Sequence, residues 1–140
     1  MAILALDVGE RRIGMAASDP SETFALPVGV IERSALREDL AEIVRIADER
    51  AVTTIVVGDP LRLSGERGIA AEKIDRFCVA LERMYSGTIA RVDERLTTAQ
   101  ATKTLIRADV SRAKRKRVVD GIAAALILDT YLARRAAGSR

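Results

Sequence analysis

The sequence predicts an α/β protein in which a mixed five-stranded sheet carries helices on both faces. Three short apolar segments follow one another in the first third, with short turn-forming connections, which predicts an antiparallel meander. Two further β-branched segments alternate with helical stripes, as parallel strands joined by crossover helices do. The last helix is apolar nearly all round, so we expect it to be buried on more than one side.

The first three strands are predicted from residue type and turn signals. Residues 2–6 form a short, wholly apolar run, which is typical of a buried central strand. Residues 13–18 and 25–31 follow, and turn-forming residues at 9–11 and 19–21 separate the three segments. Because the connections are short, neighbouring strands should run antiparallel.

The hydrophobic period changes after the third strand. Ser34 is predicted to cap a helix whose apolar stripe consists of Leu36, Leu40, Ile43, Val44 and Ala47. A β-branched strand at 53–57 ends at the turn 58–60. A second helix begins at Ile69 or Ala70, and its predicted stripe is Ala70, Ile74, Phe77, Leu81 and Met84.

A fifth strand and two helices complete the order β-β-β-α-β-α-β-α-α. The strand covers residues 88–92. Thr97 and Gln100 have the spacing of a capping box, which predicts a third helix that holds Ala101 and Leu105. The last helix is predicted at about 118–132.

The segment before the last helix, residues 108–117, is predicted to be a mobile loop. Asp109 and Ser111 favour loops, and Val110 is the one large apolar residue that could anchor the segment. We expect it to become ordered on nucleic acid.

Length and composition fit one domain. The chain has 140 residues, of which 49% are hydrophobic, so residues 1–140 should form a single domain, with 134–140 as a flexible basic tail. No signal peptide is recognisable, and no apolar run approaches the roughly 18 residues of a membrane span, so a cytoplasmic location is expected. Cys78, the sole cysteine, excludes a disulfide within the chain and a cysteine-based zinc site, and its place on an apolar stripe favours the core.

Positive charge is concentrated in a few places. The net charge is +3 and the isoelectric point is about 9.4. One cluster precedes the last helix and a second lies at the C-terminus: Arg107, Arg112, Lys114, Arg115, Lys116 and Arg117, then Arg134, Arg135 and Arg140. Such clusters predict a phosphate-bearing partner. A solvated loop and tail is the simpler interpretation of a basic run alone, but the acids described next favour nucleic acid.

Three carboxylates are candidates for a catalytic or ligand-binding site. Asp7 ends the first apolar strand, Glu94 follows the fifth, and Asp120 interrupts an apolar helix. Because the chain has no histidine, carboxylates and bound hard metal ions are its main candidates for acid, base and electrophile. Each acid also has a simpler explanation: a hairpin turn for Asp7, surface charge for Glu94, and a helix start for Asp120.

A cluster of these acids would favour particular metals. Oxygen ligands alone select Mg²⁺ or Mn²⁺ over zinc. Two divalent cations outweigh three carboxylates, which leaves a site that attracts phosphate. In such a site one ion activates water and the other stabilises the leaving oxygen. Beside a basic stretch, the arrangement predicts metal-dependent hydrolysis of phosphodiester bonds.

Four motifs, taken together and in order, resemble the YqgF/RuvX family of bacterial RNase H-like nucleases. They cover nearly the whole chain: Asp7-Val8-Gly9 with Arg12-Ile13-Gly14; Val57-Gly58-Asp59-Pro60-Leu61 with Gly65; Asp93-Glu94-Arg95-Leu96-Thr97-Thr98; and Lys116-Arg117-Val118-Val119-Asp120 with Ala123-Ala124 and Ile127-Leu128. Each motif alone is weak to moderate, whereas the ordered set is highly specific.

The resemblance implies an RNase H-like fold and a cytoplasmic nuclease. The family is linked to maturation of the 5′ end of pre-16S rRNA, and it was also named for a Holliday-junction resolvase role. Asp7, Glu94 and Asp120 match the expected catalytic and metal-binding acids. The positions expected near the nucleic acid are Arg12, Arg95, Arg112, Lys114, Arg115, Lys116 and Arg117.

One loop departs from the family pattern. After Gly58 the family usually has an apolar residue, then Pro-Leu and an Asn, but this chain has Asp59 and Arg62 at the two outer places. Asp59 could join the acidic cluster, and the sequence leaves that question open.

The leading hypothesis is a metal-dependent endonuclease that processes the 5′ end of pre-16S rRNA, and branched DNA is the second candidate substrate. A non-catalytic RNA-binding factor in ribosome assembly is a third reading, and ribosomal particles are candidate partners. Strand-Asp-x-Gly also opens actin-like ATPases and sugar kinases, but those need two such domains. A homodimer would suit branched DNA with two-fold symmetry, and a monomer would suffice for trimming rRNA ends.

Overall fold

The computed structural model describes residues 2–19, 21, 25–60, 68–93 and 112–138, and for 112–120 and 138 it describes the backbone alone. Within these residues there are five strands and three helices. In chain order they are β1 (Ala2–Val8), β2 (Arg12–Ser18), β3 (Ala25–Glu32), α1 (Leu36–Glu49), β4 (Val52–Asp59), α2 (Ile69–Met84), β5 (Thr88–Asp93) and α3 (Arg112–Gly138).

The five strands form one mixed sheet in the order β3-β2-β1-β4-β5. β1 and β2 pair antiparallel, as do β2 and β3, so the predicted meander is confirmed. β4 pairs parallel with both β1 and β5, which confirms the predicted direction of the late strands. The first strand is therefore central, with partners on both sides.

Helices cover both faces of the sheet, as predicted. Successive residues of a strand point to opposite faces. Leu4 and Leu6 of β1 belong to a core that includes residues of α1 and α2, whereas Ile3 and Ala5 belong to a second core with residues of α3. We call these the α1/α2 face and the α3 face.

The start of α1 differs from the prediction. Ala35, and not Ser34, is the N-cap residue, and no side chain caps the helix there. Instead the buried Asp39 carboxylate accepts hydrogen bonds from the backbone N–H of Ser34 at 3.1 Å and from its hydroxyl at 3.3 Å. Arg33 donates to the same carboxylate at 3.3 Å. The predicted hydroxyl cap is therefore absent, and Ser34 instead donates to a carboxylate within the helix.

The second helix begins at Ile69, as predicted, but its buried stripe is rotated slightly. The buried residues are Ala71, Ile74, Phe77, Cys78 and Leu81, while Ala70 and Met84 are exposed. The core position predicted for Cys78 is confirmed, and burial raises the pKa of its thiol. A raised pKa keeps the thiol protonated and unreactive at neutral pH.

The last helix is longer than predicted at both ends. It begins at Arg112, so the mobile loop predicted for 108–117 is wrong for residues 112–117, which are helical. Arg, Lys and Ala are strong helix formers, and no Gly or Pro interrupts this run. Residues 134–138 of the predicted tail are also helical.

The rest of that region lies outside the described residues. This applies to residues 108–111 and to the helix predicted from Thr97. Among the described residues, no helix is long and apolar enough to cross a membrane.

Candidate functional site

Asp7 lies near the carboxyl end of the central strand β1. It is the next-to-last residue of the strand, and 4% of its surface is exposed. Because residues alternate along a strand, Asp7 shares the α3 face with Ile3 and Ala5. The strand extends past the predicted residues 2–6, so Asp7 is a buried residue within β1.

Glycines lie on both sides of Asp7 in the sheet. Gly14 of β2 is its direct partner in the antiparallel register. On the other side Leu6 pairs with Val57, so the next residue of β4, Gly58, is the lateral neighbour of Asp7. Neither neighbouring strand therefore places a side chain beside the carboxylate on the α3 face. This arrangement leaves lateral room for a ligand of Asp7.

The turn after β1 depends on Gly9. Its N–H donates to the carbonyl oxygen of Arg12 at 2.8 Å, and a Cβ on residue 9 would lie 2.9 Å from that oxygen. A real Cβ essentially never lies at that distance, so any residue other than glycine would force this turn to shift. The turn is thereby held against the end of the strand that carries Asp7.

Arg33 fastens the same turn from the end of β3, a role that the sequence did not reveal. Its Nη1 donates to the carbonyl oxygen of Gly9 at 3.0 Å, and its backbone N–H donates to the carbonyl oxygen of Arg11 at 2.8 Å. Its guanidinium also lies 5.9 Å from the ring centre of Phe77 on α2. One arginine thus joins the turn, α1 and α2, and only the fold brings these elements together.

Arg12, predicted to contact nucleic acid, lies on the same face as Asp7. It is two residues before Gly14 on β2, and side chains two apart share a face. Its Nε pairs with Glu32 of β3 at 3.0 Å, and about a quarter of its side chain is exposed. The ion pair holds the Arg12 side chain near the surface, at the end of the sheet where Asp7 lies.

Asp120 belongs to the helix that covers this face. Its backbone lies in α3, one turn before Ala124, and Ala124 packs in the core with Ile3 and Ala5. Ala123 and Ala124 are both buried, in agreement with the burial predicted for the last helix. The helix and the strand that carry two of the predicted acids therefore meet on one face of the sheet.

Glu94 and Arg95 lie outside the described residues. β5, which precedes them, ends at Asp93 and does not pair with β1, because β4 lies between the two strands. β1 and β5 are therefore separated by one strand in the sheet. Val92, the partner of Gly58, is the β5 residue in line with Asp7 on the α3 face.

Asp59 lies on the opposite face from Asp7. Its parity along β4 is that of Ile55 and Val57, which pack against α1 and α2. Its carboxylate pairs with Arg91 of β5 at 3.2 Å, and Arg91 also pairs with Asp75 of α2 at 2.7 Å. The question that the sequence left open is thereby answered: Asp59 belongs to a charge network on the α1/α2 face. Arg62 lies outside the described residues.

Asp7 supplies a carboxylate of the kind that binds hard metal ions. The described residues hold no group of three acidic, cysteine or histidine side chains that could bind a metal. Of the three predicted acids they include only Asp7 with its side chain, and a buried carboxylate with glycines on both sides matches the oxygen ligands that Mg²⁺ and Mn²⁺ prefer. The basic run Arg112 and 114–117 lies on the first turns of α3.

Comparison with known proteins identifies relatives of similar length. The model of the RuvX family, described as Holliday junction resolvase, matches residues 1–134. A Clostridium tetani protein is 48% identical over 132 residues, which are 94% of this chain and 96% of that protein. A Clostridium perfringens protein is 42% identical over 134 residues, which are 96% and 98% of the two chains. Both carry the name "Putative pre-16S rRNA nuclease".

Solved structures with a similar fold are distant in sequence. RuvC of T. thermophilus in complex with a Holliday junction has a TM-score of 0.59 at 10% identity and covers 96% of each chain. The Fowlpox virus resolvase with its junction DNA has a TM-score of 0.54 at 10% identity, over 96% of this chain and 98% of that one. These likenesses establish the RNase H-like fold that the sequence motifs implied. With the match over 1–134 and relatives above 40% identity, the chain belongs to the RuvX family.

Proposed function

We propose that this protein is a metal-dependent endonuclease that processes the 5′ end of pre-16S rRNA. The observation that carries the proposal is Asp7, a buried carboxylate on the central strand, between two glycines and on the face covered by the helix that bears Asp120. The names of the two clostridial relatives support the substrate. Such processing occurs where ribosomes assemble, so the proposal includes a cytoplasmic location and contact with ribosomal particles.

The metal would be held by Asp7 together with Asp120 and Glu94. When bound, Mg²⁺ or Mn²⁺ supplies an activated water and charge stabilisation at the leaving oxygen. The protein contributes position: β1 is paired on both sides, so the Asp7 carboxylate is fixed before substrate arrives. The glycine neighbours leave lateral space for a phosphate.

Cationic side chains would bind the nucleic acid by its phosphates. Arg12 shares a face with Asp7, and Arg95 and the basic run of α3 are the further candidates. The described aromatic residues are Phe77, Tyr85 and Tyr131. Phe77 and Tyr85 are buried, which leaves Tyr131 among them to stack on a base. Recognition should therefore rely on phosphate charge and shape, and affinity should fall steeply with salt.

The deciding experiment is a cleavage assay in Mg²⁺ or Mn²⁺ on two substrates, a pre-16S rRNA 5′ leader and a four-way DNA junction. Wild type is compared with Asp7→Asn and with Asp129→Asn, which removes an exposed carboxylate from α3. We expect the leader to be cut by wild type and by Asp129→Asn, and not by Asp7→Asn. Full activity in a pure Asp7→Asn sample would refute the proposal.

Resolution of branched DNA is the second candidate function. The family description and the junction-bound fold relatives favour testing it. Two symmetric cuts in a junction require two active sites, so this function predicts a homodimer, whereas trimming an rRNA end needs one protomer. Preferential junction cleavage by a dimer would select it. Nucleic-acid binding without cleavage of either substrate would indicate an RNA-binding assembly factor.

A further inference from the structure

An open cleft of about 910 Å³ lies at the carboxyl end of β1, between the beginnings of α1 and α2. Asp7, Gly9 and Gly58 form part of its floor. The cleft opens toward the α1/α2 face, whereas α3 packs on the other face of the sheet through Ala124, Ile127 and Leu128. It therefore borders Asp7 from the side opposite the face that carries the Asp7 side chain, and no substrate contact has been assigned to that side.

Three cations border this cleft, and they differ in how fully they are engaged. Arg33 is held by the carbonyl oxygen of Gly9 and by Asp39. Lys73 is 3.7 Å from Glu10, and both side chains are more than half exposed, so this pair is weak in water. Arg76 is exposed and makes no ion pair with any described residue. Arg76 and Lys73 are thus available to an anion.

Apolar side chains accompany these cations at the mouth of the cleft. Ile69 is 69% exposed and Leu36 is 42% exposed, although both are large and apolar. Ile69, Lys73 and Arg76 follow the spacing i, i+4, i+7, so they form one stripe along α2. A stripe that offers both cations and apolar surface matches a nucleotide, which has a charged phosphate and an apolar base face.

We propose that this cleft binds the single strand of nucleic acid that continues beyond the cleaved bond. Lys73 and Arg76 contact its phosphates, and Leu36 and Ile69 pack against a base or sugar. The inference rests on the proposed nuclease function, because it takes Asp7 as the point of cleavage. The strand then passes the Gly9 turn at the end of the sheet, with the basic run of α3 on one side and α2 on the other.

The main test is Arg76→Ala, with Arg83→Ala as its matched control. Arg83 lies on the same helix and the same stripe, about 10 Å farther along, and does not border the cleft. Binding of a labelled single-stranded RNA is measured by fluorescence anisotropy from about 50 to 200 mM salt. We expect Arg76→Ala to weaken binding about tenfold and to lower the salt slope by about 0.7, the value for one phosphate contact on a single strand. Arg83→Ala should leave both unchanged.

A second variant tests the apolar contact. Ile69→Ser removes an exposed side chain, so the fold should not depend on it. We expect weaker binding of the RNA but unchanged competition by inorganic polyphosphate, which has phosphates and no bases. Equal weakening of both would overturn the assignment of a base to Ile69 and Leu36.

The outcomes separate this inference from the proposed function. If wild type cleaves and Arg76→Ala behaves like Arg83→Ala, the cleft inference is overturned and the nuclease stands. If wild type binds without cleaving and Arg76→Ala binds more weakly, the cleft binds nucleic acid, but the nuclease function is refuted and with it the place of the strand beyond a cleaved bond. In a cleavage assay the cleft predicts a raised KM for Arg76→Ala with an unchanged kcat. Absence of RNA binding by wild type would refute both.

Discussion

Asp7 and Gly14 lie directly opposite each other in the antiparallel pair of β1 and β2. Side chains of directly opposed residues are close neighbours on one face of a sheet. At this position the acid has a partner with no side chain, and Gly58 repeats the arrangement on the other strand. The pairing gives the candidate catalytic acid space that an ordinary residue in β2 would fill.

Substitution of Gly14 should therefore impair cleavage in proportion to size. Gly14→Ala and Gly14→Val place one and three carbon atoms beside the Asp7 carboxylate. We expect activity to fall stepwise, by at least about tenfold for valine, because small displacements in a metal site are costly. Circular dichroism should show a preserved fold, since β-branched residues suit a strand. Equal activity of the three proteins would contradict the proposed role of the space.

Metal binding at Asp7 should be visible as thermal stabilisation. A ligand that binds only the folded state at a hundredfold excess over its Kd adds about 2.7 kcal/mol. We therefore expect Mg²⁺ or Mn²⁺ to raise the Tm of the wild type, and of Asp129→Asn, as measured by differential scanning fluorimetry. Asp7→Asn should lose this rise. A Tm of Asp7→Asn that responds to metal as the wild type does would place the ion elsewhere.

Two glycine-to-alanine variants should have opposite effects on stability. At Gly9 the new Cβ would lie 2.9 Å from a backbone oxygen, so the turn must shift, and we expect a loss of about 1–3 kcal/mol. At Gly121, inside α3, the nearest atom is Cβ of Pro27 at 3.4 Å, and alanine favours a helix by about 0.8–1 kcal/mol. Urea denaturation should show Gly9→Ala clearly destabilised and Gly121→Ala equal to or more stable than the wild type.

The network of Asp59, Arg91 and Asp75 should couple β4 and β5 to α2. Arg91→Met removes a cation that pairs with the buried Asp59, and we expect a loss of about 2 kcal/mol, less than for a fully buried pair because Arg91 is 32% exposed. The double variant Asp59→Leu/Arg91→Met should recover most of that loss, since it removes the charge as well.

A control for this cycle is Arg45→Met. Arg45 pairs with Glu42 and Glu49 on the exposed side of α1, where ion pairs contribute little, so the urea midpoint should barely change. A double variant no more stable than Arg91→Met alone would show that the two charges do not act on each other.

The sheet was predictable because its signals are local. Uninterrupted apolar runs, β-branched segments and turn residues lie next to one another in the chain, and the short first connections force antiparallel pairing. The helix starts were less predictable. Ser34 has the residue type of a cap, yet the helix begins one residue later because Asp39 satisfies the Ser34 N–H from inside the helix.

Motif spacing alone identified Asp7, Gly9 and Asp120 as candidates for the site. Arg33 and Arg91 could not be found in this way, since their partners are distant in the chain and only the fold brings them together. The face of Asp59 also required the register of β4, because one residue of slippage moves a side chain to the opposite face. The loop prediction was wrong for residues 112–117 because it rested on Asp109, Ser111 and the lack of apolar anchors, whereas the residue types of 112–117 favour a helix.

The core on the α3 face joins the beginning of the described chain to its end: Ile3 and Ala5 pack in one cluster with Ile127 and Leu128. During translation β1 leaves the ribosome more than a hundred residues before this helix. Until α3 has been synthesised, the apolar surface around Ile3 has no cover and Asp7 has no helix above it. This face of the sheet is therefore completed only when nearly the whole described chain has been synthesised.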